Sequence, residues 1–521
     1  MPPVSGTPAW SNLLSHRDEM AGVTLTEMFA VDPMRPKSLN WNLNGLSVDL
    51  SRQRLTLATL ELLAELAREA GVEGTRRAMF EGELINTTES RAVLHVALRD
   101  SSGLTNSDAA NQAWTQRQAM AAFADGVRRG EETGATGRTF NDVVNIGIGG
   151  SHLGPMTVTR ALEAADAPLR VHYVANVDGY DLASLLRRLD PDRALFLVAS
   201  KTFTTQETMA NAASAKAWLT SALGADAVSM HFAALSTNAD AVKTFGISPE
   251  RMFAFADWVG GRFSLWSSVG LSAMLAIGTV AFDQLLAGAH AMDRHFTEAP
   301  LITNLPVLMA LTDIWNRSFL GLPARAVLPY DERLRHLPTH LQQLEMESNG
   351  KAVTMDGEQI TGAAASVVFG MTGTNGQHTF HQLLHQGPAL VAVEFMGVAQ
   401  PGHGFEGHHE ILLANMLAQA EALALGTEAP ETPHHACPGN RPSTVILLQQ
   451  LDPFHLGMLL ALYEHKVMVE GTIWGINSFD QFGVELGKRL AGPVLDALKG
   501  EGTLVDPATA ASVYRIKSWR P

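Results

Sequence analysis

The sequence predicts an α/β protein built on two doubly wound, mainly parallel sheets, and three observations carry that reading. From Asn141 onward, short β-rich runs alternate with helical stretches, as strand and crossover helix do in a parallel sheet. The alternation restarts after residue 300 with a second set of strands. Turns rich in Gly, Ser and Thr follow several of these runs, at the carboxyl ends where open α/β sheets receive ligands. The chain has 521 residues, room for several domains of about 100–200 residues each. With 46% of residues hydrophobic and only 17% charged, against ~25% charged in an average soluble protein, it must bury a large surface, and a subunit interface would account for part of it.

Taken in order, residues 1–105 read as a mostly helical wrapping segment, with Leu55, Leu57, Leu60, Leu62, Leu63 and Leu66 supplying the apolar face of one long helix. Residues 106–282 form the first, smaller α/β domain. Its strands are VVNIGI from Val143, VHYVANV from Val171, ALFLVAS from Ala194, HFAALS from His231 and MFAFA from Met252. The uncharged run Phe263 to Phe282 is long enough to cross a bilayer, but Ser264, Ser267, Ser268, Gly270, Ser272 and Gly278 interrupt it and no comparable run accompanies it. It reads as a buried core helix. Residues 283–500 form the second, larger α/β domain, with strands RAVLPY from Arg325, SVVFGM from Ser366, ALVAVEF from Ala389 and STVILLQQL from Ser443, and a helix over Phe405–Leu425. The Pro- and Gly-rich stretch from Gly426 to Ser443 is a surface loop. Residues 501–521 are a C-terminal arm, too apolar to be a solvated tail and expected to dock on the body or on a partner subunit.

Thirty-eight Lys and Arg against 53 Asp and Glu leave a formal charge of −15, which argues against nucleic acid and anionic membranes as partners. The single cysteine, Cys437, cannot close an internal disulfide, and the N-terminus lacks a signal-peptide pattern, so a reducing, cytoplasmic location is expected.

Five stretches carry chemistry. NIGIGGSHLGP, Asn145 to Pro155, runs from a strand through glycines into a helix, so backbone N–H groups can approach an anion there. It is not a dinucleotide fingerprint, since His152 stands where the third glycine belongs, and it has no P-loop Lys-Ser/Thr. An ordinary tight turn fits as well as an anion site. ASKTFTTQETMANA, Ala199 to Ala212, adds hydroxyls, a lysine and a second helix start, and the two turns together suit a small phosphate. In DWVGGRFSLWSS, Asp257 to Ser268, Arg262 suits either an oxyanion or a structural ion pair. LEMESNGK, Leu344 to Lys351, sets Glu347 beside a Ser-Asn-Gly turn, and GTNGQHTFHQLLHQG places His378, His381 and His385 at i, i+3 and i+7 of a helix. A metal site on that helix is conceivable, although no Cys lies nearby and the HExxH pattern is absent. Finally, INSFDQFGVELGKRL carries Gln481, Glu485 and Lys488 at i, i+4 and i+7, either an exposed polar face or a set partly buried by Phe482, Val484 and Leu486.

Together, in this order along the chain and with GELINTTESRAVLHVALR from Gly82 upstream, these stretches closely resemble the glucose-6-phosphate isomerase (phosphoglucose isomerase) family. The resemblance implies two sugar-isomerase (SIS) α/β sandwich domains and a homodimer with the active site at the subunit interface. It also implies interconversion of glucose 6-phosphate and fructose 6-phosphate through a cis-enediol, with no cofactor and no metal. By the same resemblance, Gly150, Ser151, Ser200, Lys201, Thr202 and Thr205 hold the sugar phosphate, and Gln343 and Gln481 line the pocket. Glu347 is implied as the proton-shuttling base, His378 paired with Glu207 and Lys488 as openers of the sugar ring, and Arg262 as the group facing the enediolate. His152 stands where the family commonly has an acidic residue, and Phe482 where Trp is common.

The residue types suit that reaction. A carboxylate can carry one proton between neighbouring carbons, a histidine (reference pKa about 6.5) exchanges ring protons near neutrality, and a guanidinium stabilises an enediolate without competing for its proton. Two other readings share the same features: a non-catalytic sugar-phosphate sensor, and a metal-dependent isomerase built on the His378 helix.

Overall fold

In the computed structural model, which describes residues 4–360 and 362–520, all nine runs read as strands are strands. The chain divides into two compact units, one ending at Ser478 and one starting at Phe479.

The first unit begins with helices, but it also holds an element that the helical reading of residues 1–105 did not contain. Strands β1 (Asn40–Leu43) and β2 (Leu46–Asp49) form an antiparallel hairpin. Its two-residue turn is Asn44-Gly45, at φ +48° and +86°, the left-handed geometry that a tight hairpin requires and that Asn-Gly supplies. The long helix that follows spans Leu57–Glu69 and is capped by Thr56. Leu60, Leu63 and Leu66 are buried on it, whereas Leu55 precedes it and Leu57 is exposed.

Strands β3 (Asp142–Ile146), β4 (Arg170–Val174), β5 (Ala194–Ala199), β6 (Phe232–Leu235) and β7 (Met252–Phe253) form a five-stranded, wholly parallel sheet in the order β4-β3-β5-β6-β7. Every residue of β3, β5 and β6 is buried, as a sheet covered by helices on both faces demands. The chain steps from β3 out to β4 and then back across to β5, so the order reverses between β3 and β5. That reversal opens a crevice at their carboxyl ends.

The second sheet joins β8 (Ala324–Tyr330), β9 (Val367–Gly370), β10 (Val391–Val398) and β11 (Ser443–Leu448) in parallel, and the N-terminal hairpin completes it antiparallel to β11, giving β1-β2-β11-β10-β8-β9. The wrapping segment is therefore an integral edge of this sheet.

The uncharged run Phe263–Phe282 is buried as far as Ala276, as read, but Val280 is exposed and the run is not one helix. It consists of 3-10 turns at Gly261–Trp266 and Ser268–Gly270, a short helix Leu271–Ile277, and the start of a new helix, Thr279–Glu298. Gly278, at φ +88°, ends the short helix. Among the described residues no helix is long and apolar enough to cross a membrane.

A helix that is buried almost throughout, Pro453–Trp474, runs beneath the second sheet and lies directly on Thr279–Glu298. The two approach so closely at glycines that a Cβ on Gly457 would sit 2.0 Å from the Leu285 carbonyl oxygen, and one on Gly288 1.8 Å from that of Phe454.

The second unit holds two helices, Glu485–Lys499 and Pro507–Trp519. Gln481 lies ahead of the first of them, in the turn that leads into Phe482–Val484, so it does not share a helical face with Lys488. Phe482, Val484, Leu486 and Leu490 are exposed in the single chain, so nothing within it buries the polar set. The arm helix likewise exposes Tyr514 and Trp519.

Replacing Gly457 by Ala should force the two central helices apart at a cost of about 1–3 kcal/mol. The loss would appear as a lower apparent melting temperature, and an unchanged one would show that the crossing is not close-packed.

Candidate active site

The crevice between β3 and β5 receives two helix starts. The first is the helix Gly150–Leu162, whose entry turn depends on an unusual repair. Pro155 sits inside this helix and has no N–H to donate, which leaves the Ser151 carbonyl without its helical partner. The side-chain amide of Asn145, buried on β3, donates to that carbonyl at 3.0 Å. Strand and turn are thereby tied together, with Ser151 at the mouth of the crevice. Gly150 cannot be replaced without movement: a Cβ there would lie 1.9 Å from the Gly261 carbonyl oxygen, so this turn rests on the backbone that leads into Arg262.

The second start is the turn Ser200–Thr205 ahead of the helix Gln206–Leu223. Phe203 takes φ +57°, strained for a residue with a side chain, and its ring is buried. Ser236, Thr237 and Asn238, after β6, donate to the carbonyls of Lys201 and Thr202 and hold the turn from behind. Ser200 Oγ and Thr205 Oγ1 are 3.1 Å apart, and Thr202 Oγ1 and Thr204 Oγ1 2.6 Å. Thr205 occupies the N-cap position without capping the helix by its side chain, and the main-chain N–H groups of Thr202, Thr204 and Thr205 meet no acceptor among the described residues. Uncapped N–H groups and hydroxyls around a helix start make a receptor for a small anion. Lys201 Nζ meanwhile bonds the Asp257 carbonyl (3.0 Å) and carboxylate (3.1 Å). Burial alone would raise the Asp257 carboxyl, but Lys201 and Arg91 outweigh it and hold it below its ordinary value.

Glu347 approaches this crevice from the other half of the unit. It ends a π-helical turn, Gln342–Glu347, the kind of local widening that recurs at functional sites. Its carboxylate is gripped on both oxygens, by Arg262 Nη1 at 3.3 Å and by Gln343 Nε2 at 3.0 Å. Gln343 in turn reaches the first turn, since a Cβ on Gly149 would be 3.0 Å from its Nε2. Arg262 is buried and fixed by Ser348 Oγ and the Ser478 carbonyl, each at 2.5 Å. The ion-pair reading and the oxyanion reading of Arg262 thus meet in one place, because its ion-pair partner is Glu347. The 3-10 turn that carries Arg262 is itself pinned: Trp266 Nε1 donates to Glu464 (2.7 Å), which also binds the buried Arg99 (2.5 Å).

Not every residue implied for the site joins it. Glu207 lies in the first turn of its helix, and His378 sits exposed in the 3-10 turn Asn375–His378, ahead of the helix His381–Gln386 rather than on it. No hydrogen bond or ion pair joins His378 to Glu207 among the described residues. His381 Nδ1 and His385 Nε2 both meet Gln419 Oε1, at 3.0 and 2.8 Å, whereas His378 precedes their helix, so the three histidines do not form one helical face. Asp313, Glu345 and Glu470 do converge closely enough for a metal ion. The Lys466 ammonium stands among them, at 2.7, 3.0 and 2.8 Å. Lys488 and Gln481 belong to the second unit, where Lys488 is exposed on the helix Glu485–Lys499.

The family model for phosphoglucose isomerase matches residues 49–513. The chain belongs to the phosphoglucose isomerase family. It is 50% identical over 538 residues to glucose-6-phosphate isomerase of Anaeromyxobacter sp. strain K, covering 99% of this chain and 98% of that one. It is 49% identical over 532 residues to the enzyme of the same name from Deinococcus radiodurans, covering 98% of each. Among solved structures, it resembles a crystal structure of a glucose-6-phosphate isomerase from Chlamydia trachomatis at a TM-score of 0.87 and 32% identity, covering 99% of both chains.

Within the phosphoglucose isomerase family, two positions stand out here. His152 is not a cationic replacement for an acidic residue, since burial, only partly countered by Asp181, pushes its imidazole down to about 4 and leaves it neutral. Phe482 is half exposed. Sequence reading missed Asn145, Ser348 and the residues behind Glu347. The spacing of Ser151 and Pro155, four apart in a helix start, was the one signal that a carbonyl there needed a new donor.

Replacing Asn145 by Ala should leave the Ser151 carbonyl unsatisfied at a cost of about 1–3 kcal/mol. Amide exchange through Gly150–Gly154 would then be faster and inorganic phosphate would bind more weakly; unchanged exchange would show that the bond holds nothing in place.

Proposed function

We propose that the chain interconverts glucose 6-phosphate and fructose 6-phosphate by proton transfer through a cis-enediolate; the relatives it matches are named glucose-6-phosphate isomerase. The observation that carries this reading is the Glu347 carboxylate, held on both oxygens by Arg262 and Gln343, with Gln343 in reach of a turn built for a phosphate. The Ser200–Thr205 turn and the Gly150–Ser151 helix start anchor the phosphate, leaving C1 and C2 towards Glu347. Glu347 then takes the proton from one carbon and returns it to the other, and Arg262 offsets the charge that grows on the enediolate oxygens.

Opening the sugar ring needs a separate acid and base. His378 and Lys488 fill those roles in this reading, with Glu207 steering the imidazole. His378 is exposed and has no hydrogen bond to Glu207, which supports a homodimer in which each pocket is completed by His378 of a second copy. The exposed apolar side chains of Phe482, Leu486, Leu490 and Trp519 supply surface for such an assembly. A cytoplasmic setting, where thiols stay reduced, suits the lone Cys437.

Turnover of fructose 6-phosphate in heavy water, after exhaustive chelation, should place partial deuterium at C2 of the glucose 6-phosphate formed. Glu347→Gln should lower kcat by about 10²–10⁴-fold. Consistent absence of deuterium would point to hydride transfer, and near-normal turnover by E347Q would remove Glu347 from the role of base.

The shared site has its own test. Mixing inactive His378→Ala chains with inactive Glu347→Gln chains and refolding them together should restore roughly a quarter of wild-type activity, since half the dimers carry one intact pocket. No recovery would mean that each chain uses its own histidine.

A further inference from the structure

The turn that carries Glu347 is gripped from the side away from the crevice. Glu345, two residues earlier in the same π-helical turn, is buried and pairs with Arg325 of β8 and with Lys466 of the central helix, the latter at 3.0 Å. Asp313 binds both cations, at 2.5 and 2.7 Å. Glu394 on β10 binds Arg325 at 2.9 Å and accepts a hydrogen bond from the Tyr463 hydroxyl at 2.6 Å. Glu470 binds Lys466 at 2.8 Å and accepts from the Asn349 amide at 3.2 Å. Strand, central helix and turn are therefore joined through a single carboxylate that itself lies outside the crevice.

We propose that Glu345, held by Arg325 and Lys466, is a positioning residue for Glu347, fixing the rotation of the π-helical turn and with it the direction in which the Glu347 carboxylate faces C1 and C2. Without the grip, the turn can relax towards ordinary helical winding, which rotates Glu347 relative to Arg262 and Gln343. The inference rests on the reading of Glu347 as the base.

The test compares Glu345→Gln with Glu394→Gln, which removes a carboxylate from the same cluster without touching the turn. Both variants should lower the apparent melting temperature. In steady-state kinetics with fructose 6-phosphate, E345Q should lose about 10- to 100-fold in kcat, as a misplaced reacting group does. Its KM should change little. E394Q should keep kcat. If E345Q fails to fold, Glu345→Asp keeps the charge, draws the turn inward by one methylene and should show the same fall in kcat at nearly unchanged KM. Wild-type kcat in the folded Glu345 variant, or equal losses in both network variants, would overturn the proposal. Wild-type protein without isomerase activity would instead overturn the functional reading beneath it, so the two failures are distinguishable.

Discussion

Two cations sealed inside the protein, Arg325 and Lys466, set the terms for everything around them. Each is fully buried, and an unpaired charge there would cost several kcal/mol, so the surrounding elements must deliver carboxylates to defined places. Asp313 comes from a buried helix, Glu345 from the π-helical turn, Glu394 from β10 and Glu470 from the central helix. Four carboxylates are more than two cations can balance. Burial accordingly pushes Glu470 up to about 8 and raises Glu394 also, while Asp313, which burial would raise, is instead pulled down by Arg325 and Lys466. A cluster so closely matched tolerates few other arrangements, and the elements that meet in it inherit its rigidity.

In the proposed function, the two sheets divide the work of the pocket by the kind of group each supplies. The first sheet offers backbone and hydroxyl donors at the reversal of its strand order, where little charge is needed. The second half of the unit supplies the ionisable Glu347 on a turn whose other side is locked into the buried cluster. Arg262, from the segment after the first sheet, bridges them. A net charge of −15 is no obstacle to an anionic substrate under this arrangement, because a phosphate held by oriented dipoles and one or two cations senses its immediate surroundings far more than the distant surface.

The sequence was most legible where a pattern has a single physical meaning. All nine strands were visible as β-rich runs between helices, since a strand buried on both faces can hardly be anything but apolar. The two turns after β3 and β5 were visible as Gly-, Ser- and Thr-rich stretches that follow a strand and enter a helix. The Phe263–Phe282 run misleads in form: its apolar composition reports burial as far as Ala276, whereas Gly278 divides it between two helices. The N-terminal hairpin has one local signal, Asn44-Gly45, because the strands on either side are only four residues long and stand among helices. The buried cluster was illegible in principle. Its members are scattered from Asp313 to Glu470, and only the folded chain brings them together. Family resemblance supplied the roles of His378, Glu207 and Lys488, which nothing in their local sequence distinguishes from surface residues.

The hairpin at residues 40–49 gives the chain an order of assembly. Its partner strand, β11, begins at Ser443, and the neighbouring Gln53 side chain bonds Thr444 across 391 positions of sequence. A ribosome adding about 5–20 residues per second needs roughly 20–80 s to cover that interval. The first strands to be made thus wait for the last strand of their sheet, holding an open edge throughout. The five-stranded sheet, whose members all lie between Asp142 and Phe253, has no such delay and can close while the rest of the chain is still being synthesised.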